Sequence, residues 1–217
     1  MIENFSRSEY AAVFTEMADI LSVPPAEFLQ SWGAAFDQRA TGVFPTTADA
    51  IKNLSLKLNP RVTEAQINRA ARVRTDYTKR SINPRKGAIE VLGYLRVEDY
   101  RTGLISDCTC EIPNVWESTS LAPFFDVTVF SCSVGIKKPD PRIYHIATER
   151  LGVDPQDCLY IGDGSSRELT GALQVGMHPA LIRDPDESDD THFIDREDDW
   201  KGPIISSLQE VLGLLKQ

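Results

Sequence analysis

The sequence predicts an α/β protein in which a parallel sheet with helices on both faces follows an N-terminal α-helical segment. Three observations carry that prediction. Residues 1–82 show helical periodicity alone, strand-length apolar runs alternate with helical ones from Asn83-Pro84 onward, and three of those runs end in polar turns. Ligands of open parallel sheets bind beyond the carboxyl ends of the strands, so the turns are also where function is sought.

The helical segment reads as follows. Ser6-Arg7-Ser8-Glu9 has the form of a capping box, with Phe5 and Tyr10 at the staple positions, so a helix starts near Arg7. Tyr10, Val13, Phe14, Met17 and Leu21 recur along one of its faces. Pro25 opens a second helix with Phe28, Trp32 and Phe36 at spacing four, an aromatic stripe read as core packing. A third helix carries Ile51, Leu54 and Leu58. Thr63 and Gln66 form a further capping box and open a fourth, with Ile67, Ala70, Ala71 and Tyr77 along it.

Beyond Pro84 the predicted strands are 102–106, 126–131, 158–161 and 178–182, with apolar cores suited to a sheet covered on both faces. Helices fall at 88–96, from Asp140-Pro141 onward, at 166–175 and at 207–215.

Composition narrows the function classes. With 217 residues the chain suits one domain, or a core domain and a smaller one. It is 41% hydrophobic and 25% charged, and no apolar run approaches the roughly 18 residues of a membrane span. MIENFSRSEY has no secretory pattern, so a cytoplasmic location is expected, with Cys108, Cys110, Cys132 and Cys158 reduced and buried. Their spacing suggests no zinc site.

The net charge of −9 is concentrated, because 184–199 holds nine acids and one arginine. That stretch reads as a solvated loop. Eight basic residues in 61–86, set against two acids, lie on a predicted helix without interleaved aromatics, which with a pI near 4.9 argues against nucleic acid. One or two of Arg69, Arg72, Arg74 and Lys79 are expected to turn toward a cleft, where they would steer an anion. Oligomeric state leaves no mark in the sequence.

Three turns carry the chemistry. Ser106-Asp107 ends the first predicted strand, Lys138 precedes Pro139-Asp140-Pro141, and Gly162-Asp163-Gly164 ends the third. A phosphoryl group needs a hydroxyl or backbone donor, a cation for its charge, and a carboxylate to hold Mg²⁺ beside it. Each turn supplies one of these.

GLISDCT (103–109), GIKKPDP (135–141) and YIGDGSSRELTGA (160–172) resemble, in order and spacing, the motifs of the haloacid dehalogenase-like hydrolases. The resemblance is close over about 83–183 and loose over the N-terminal helices. It implies a Rossmann-like core at 83–217 under an α-helical cap domain at 1–82. The implied activity is Mg²⁺-dependent hydrolysis of a small phosphorylated metabolite through an aspartyl-phosphate. By the same resemblance Ser106 binds the phosphate, the backbone of Asp107 faces it, and Lys138 neutralises its charge. Asp163 and Glu168 would bind the metal.

The family's nucleophilic aspartate sits in Asp-x-Asp-Gly-Thr or Asp-x-Gly-Gly-Thr, on a central strand between those ending here at Ser106 and Ile161. No such motif occurs, and Asp19, Asp37, Asp49, Asp76 and Asp99 all fall in helical or turn contexts. The attacking residue is therefore expected upstream of Met1 and the chain as given is expected to be inactive. Either the two flanking strands close on each other, or the chain is an N-terminally incomplete copy. The second is favoured because the remaining motifs show no drift. The alternatives are a non-catalytic phosphate-binding or regulatory protein and a metal-free haloacid dehalogenase, the latter disfavoured by Asp163.

Overall fold

A computed structural model describes residues 6–183, 197 and 199–215. Phe5 and most of the acidic stretch lie outside the described residues. The N-terminal part is helical: α1 (Arg7–Leu21), α2 (Pro25–Ala34), α3 (Phe36–Ala40), α4 (Thr47–Leu58) and α5 (Glu64–Ser81).

The predicted caps form, with differences. Ser6 Oγ accepts from the Glu9 N–H at 3.4 Å, which is one half of the expected box, whereas Thr63 and Gln66 complete theirs. Thr46 and Asp49 make a full box that fixes the start of α4. Phe36 does not continue the stripe of α2, because that helix stops at Ala34 and Phe36 opens α3. Phe14, Phe28 and Trp32 pack together in the core of these helices with Met17, Leu21, Ile51 and Ile67.

The rest of the chain alternates. It runs α6 (Ala88–Val97), β1 (Gly103–Ser106), α7 (Glu111–Trp116), β2 (Val127–Phe130), α8 (Ser131–Val134) and α9 (Pro141–Leu151). There follow β3 (Leu159–Gly162), α10 (Glu168–Gln174), β4 (His178–Ile182), β5 (Ile204–Ile205) and α11 (Val211–Leu214). Every strand pairing is parallel.

The strands form two sheets where one was expected. β1 pairs with β2, from Gly103 opposite Val127 to Ser106 opposite Phe130. The second sheet has the order β3-β4-β5, with β5 absent from the sequence prediction. β1 and β3 are not hydrogen-bonded to each other, so they have not closed up. Their side chains nevertheless enter the same two apolar layers. Leu104, Leu159 and Ile161 pack with α6, α7 and α11, while Ile105 and Tyr160 pack with α9 and α10. Helices thus cover both faces. β1 is exposed at Gly103 and half-buried beyond it, and most of β3 is half-buried, whereas Pro179–Ile182 of β4, with a strand on each side, are buried.

Three further expectations need correction. The helix predicted from Ser166 begins at Glu168, because Ser166 and Arg167 adopt left-handed φ values of 57° and 51°. Of the cysteines, all reduced, Cys108 is buried and the other three are half-buried. The acidic stretch is not uniformly solvated: Asp199 is exposed, but Glu197 is only 2% exposed. Its carboxylate accepts from the Leu169 N–H at 2.8 Å and the Thr170 N–H at 3.0 Å, while its own N–H donates to the Gly164 carbonyl at 2.9 Å. A carboxylate beside free N–H groups at the start of a helix gains both hydrogen bonds and a favourable dipole, which explains why this acid leaves water.

Glu197→Ala should therefore lower stability by about 1–3 kcal/mol, the cost of leaving buried donors unpaired. Urea denaturation measures it; an unchanged midpoint would mean that water replaces the carboxylate freely.

Candidate functional site

Lys138 stands at the centre of the candidate site. It precedes α9, whose start is set by Asp140 accepting from the Arg142 N–H at 2.9 Å and by Pro141 at the first helical position. Lys138 is only 8% exposed, and its Nζ donates to Glu168 Oε2 at 2.5 Å. Glu168 Oε2 also accepts from the Tyr160 hydroxyl at 2.8 Å, and Oε1 accepts from the Gly164 N–H at 3.2 Å. Tyr144 OH donates to the Glu168 carbonyl at 2.9 Å. Glu168 is held from four sides.

Gly162 is required by this packing, since a Cβ there would lie 2.2 Å from Glu168 Oε1. Asp163, the next residue, accepts from the Ser165 N–H at 2.8 Å, which shapes the turn toward α10. Asp107 Oδ1 accepts from the Lys138 N–H at 2.9 Å, and its buried Oδ2 has no hydrogen-bond partner among the described residues. Ser131, buried at the start of α8, donates to the Cys108 carbonyl at 3.2 Å and accepts from the Cys108 N–H at 2.9 Å. The Ser106–Cys110 turn is thereby fastened to the end of β2.

Burial alone lowers the pKa of the Lys138 ammonium, but Glu168, Asp107 and Asp163 outweigh it and leave the value above that of an ordinary lysine. The cation is charged at neutral pH. Burial and the adjacent Glu168 push the Tyr160 phenol well up, so it remains a donor to that carboxylate.

The structure thus brings Lys138, Glu168, Asp107 and Asp163 together. Ser106 is half-buried at the carboxyl end of β1, immediately before Asp107. Glu168, expected as a metal ligand, is placed against Lys138 with both oxygens hydrogen-bonded. Among the described residues no group of three His, Cys, Asp or Glu side chains is arranged to hold a metal ion. Asp163 and Asp107 each accept one hydrogen bond, from Ser165 and Lys138, and are less engaged than Glu168. Sequence reasoning missed Ser131, Tyr144, Tyr160 and Glu197. The first three sit in strand-end or helix-face positions that read as core, and Glu197 was hidden in an acidic run.

These features define a parallel α/β protein with a buried cation among carboxylates at the strand ends. The chain belongs to the haloacid dehalogenase-like hydrolases, whose family model matches residues 7–176. A curated relative, a glyceraldehyde 3-phosphate phosphatase of Methanopyrus kandleri, is 30% identical over 105 residues, covering 47% of this chain and 44% of its own. The chain spans about half the length of the curated relatives it matches.

Solved structures share the fold. A 2-haloacid dehalogenase from Pseudomonas syringae superposes with a TM-score of 0.71 at 16% identity, covering 100% of this chain and 99% of its own. A HAD-family enzyme from Bacteroides thetaiotaomicron, solved with magnesium and inorganic phosphate, has a TM-score of 0.61 at 19% identity, covering 87% and 92%. No described helix is long and apolar enough to cross a membrane.

The raised pKa of Lys138 has a signed consequence. Stability from its charged form is fully present below the unfolded lysine value of about 10.4 and is lost as pH rises through the higher folded value. Wild-type stability should hold to about pH 10 and then fall, while Lys138→Met, lower at neutral pH, should lack this component of the alkaline loss. Thermal melts from pH 7 to 12 compare the two; parallel curves would refute a charged Lys138 in the native state.

Proposed function

We propose that the chain is the capped catalytic part of a Mg²⁺-dependent phosphatase for a small phosphorylated metabolite, with 1–82 as cap domain and 83–217 as core. The observation that carries this reading is the charged, buried Lys138 held by Glu168 beside Asp107 and Asp163. Such a cation is suited to two anions that must approach each other, a phosphate and an attacking carboxylate. In this reading the Ser106 hydroxyl and the Asp107 backbone N–H bind phosphate oxygens. Lys138 offsets their charge, and Glu168 aims Lys138.

Asp163 fits the role of Mg²⁺ donor, being a hard oxygen ligand at a strand end with only one hydrogen bond to its turn. The ion, when bound, neutralises phosphate oxygens and fixes in-line geometry. A required Mg²⁺ is also the reading that an aspartate at this position favours over metal-free dehalogenation.

The attacking carboxylate is proposed to come from a strand outside these 217 residues, which would pair with β1 and β3. The aspartates considered in the sequence support this. Asp19 and Asp76 are exposed on α1 and α5, Asp49 caps α4, Asp37 pairs with Lys137 at 2.6 Å, and Asp99 is exposed after α6. The carboxylate would displace the alcohol from phosphorus, forming an aspartyl-phosphate, and water would then cleave it to inorganic phosphate.

Purified chain 1–217 should show no Mg²⁺-dependent hydrolysis of small phosphate esters, and a form extended by the gene's in-frame upstream sequence should turn over. In that form Lys138→Ala should lower kcat by about 10²–10³-fold, and Asp163→Asn should weaken the dependence on Mg²⁺. Robust activity from chain 1–217 would show the nucleophile to be misplaced. A folded, inactive extended form would favour a binding protein.

A further inference from the structure

β1 and β2 run side by side until Ser106 stands opposite Phe130, and each continues into a turn with a cysteine two residues on, Cys108 and Cys132. Adjacent strands lie about 4.8 Å apart, and a disulfide needs its Cα atoms about 4.4–6.8 Å apart. Ser131 keeps the two turns together beyond the strands, since its Oγ accepts from the Cys108 N–H at 2.9 Å and donates to the Cys108 carbonyl at 3.2 Å. The Cys108 thiol is hydrogen-bonded to Cys132 and also to the Ser106 hydroxyl. Two thiols are thus in contact beside the first of the polar turns.

Their environments differ. Cys108 is 6% exposed, and its bond to Cys132, burial and the nearby Asp107 push it well above the ordinary thiol value. Cys132 is half-buried at the start of α8. Bonds from Cys108, Ser133 and its own backbone N–H bring Cys132 below the ordinary value, against the opposing effects of burial and Glu111. Cys132 is therefore the readier thiolate and Cys108 the neutral donor beside it.

The other two thiols lack this arrangement. Cys110 lies 3.6 Å from Thr47 Oγ1, and burial and the adjacent Glu111 push it up to about 11. Although burial pushes the Glu111 carboxyl up, Arg74, Thr109 and Arg39 hold it below the usual value, so it is ionised. Of the four basic residues expected to turn inward, Arg74 does so, with Nε 3.2 Å from Glu111 Oε1, while Arg69, Arg72 and Lys79 are exposed. Cys158 donates to the Asp154 carbonyl at 3.3 Å, and burial and Asp157 push it up.

We propose that Cys132 and Cys108 form a peroxide-reactive pair, Cys132 attacking and Cys108 resolving, that closes a reversible disulfide beside the Ser106–Asp107 turn. The Cys132 sulfur attacks one oxygen of hydrogen peroxide, forming S–O and breaking O–O, and the departing hydroxide takes up the thiol's proton as water. The Cys108 sulfur then attacks the Cys132 sulfur, forming S–S and breaking S–O, and its proton leaves with the hydroxyl as a second water. Two thiols are oxidised and one peroxide is reduced to two waters. A dithiol reductant reverses the bond by exchange.

Closing the bond draws the sulfurs from hydrogen-bond contact to about 2.05 Å. The sulfur that bonds the Ser106 hydroxyl is then pulled toward α8, so oxidation acts on the group assigned to phosphate. That consequence rests on the phosphatase reading; the disulfide does not.

Chain 1–217 treated with hydrogen peroxide, alkylated and digested should yield a Cys108–Cys132 linked peptide by mass spectrometry. Thiols counted in the unfolded protein should fall from four to two, and dithiothreitol should restore all four. Cys108→Ser should stop at a Cys132 sulfenic acid trapped by dimedone, Cys132→Ser should keep Cys108 reduced, and Cys110→Ser should still form the pair. Four free thiols after peroxide would overturn the proposal, as would a disulfide through Cys110 or between two chains.

In the form extended upstream, peroxide should lower turnover, dithiothreitol should restore it, and Cys132→Ser should resist the loss. Full turnover with the disulfide closed would overturn its action on Ser106. A Cys108–Cys132 disulfide in an extended form without turnover would uphold the pair and sink the phosphatase reading.

Discussion

The ion pair between Lys138 and Glu168 is the interaction on which the α/β part depends. The two sheets share no backbone hydrogen bonds, so packing and side-chain bonds must hold them in register. Lys138 follows β2, in the first sheet, and Glu168 follows β3, in the second. Their contact at 2.5 Å therefore crosses the division, and the bond from Tyr144 on α9 to the Glu168 carbonyl crosses it again. Removing one partner from a buried pair of this kind costs about 3–5 kcal/mol, because the other charge is stranded. The group proposed to offset the charge of a phosphate is thus also a structural tie. A loss of activity in a Lys138 variant is interpretable only alongside its stability.

The turn from Asp163 to Glu168 shows how that tie is built. Two consecutive non-glycine residues in left-handed conformation cost on the order of 1–3 kcal/mol each. What repays this is dense hydrogen bonding around the turn. Asp163 holds the Ser165 N–H, Glu168 holds the Gly164 N–H, and Glu197 holds the first N–H groups of α10. A regular helix started at Ser166 would rotate Glu168 away from Lys138. The strained turn and the ion pair are therefore one arrangement, and Glu197, distant in sequence, braces it.

Much of this was legible in the sequence because the signals were local. Capping boxes at Thr63 and Pro141 after Asp140 are read from neighbours within four residues, and the apolar stripes of α1 and α5 follow from helical period alone. The placement of Lys138 and Asp163 beyond strands of the parallel sheets was legible because apolar runs that end in polar turns mark strand ends. What the sequence did not disclose were long-range partners. Glu168 looks like a free acid until Lys138, thirty positions earlier, is seen to occupy it. Glu197 looks solvated because eight other acids surround it in sequence. The split sheet was hidden because apolar runs give strand type and say nothing of which strand lies beside which.

Opposite charge excesses sit on the two sides of the turn after β1. At Lys138 one cation is surrounded by carboxylates, so negative charge is already in excess and an incoming phosphate needs a further cation, the role proposed for Mg²⁺ at Asp163. On the helical side, among the described residues, Arg39 and Arg74 share the single carboxylate of Glu111, so the buried excess there is positive. Glu111 follows Asp107 by four residues, so one short turn separates the two environments, and the contact of Arg74 with Glu111 ties the helical part to the same turn whose other end holds the Lys138 N–H.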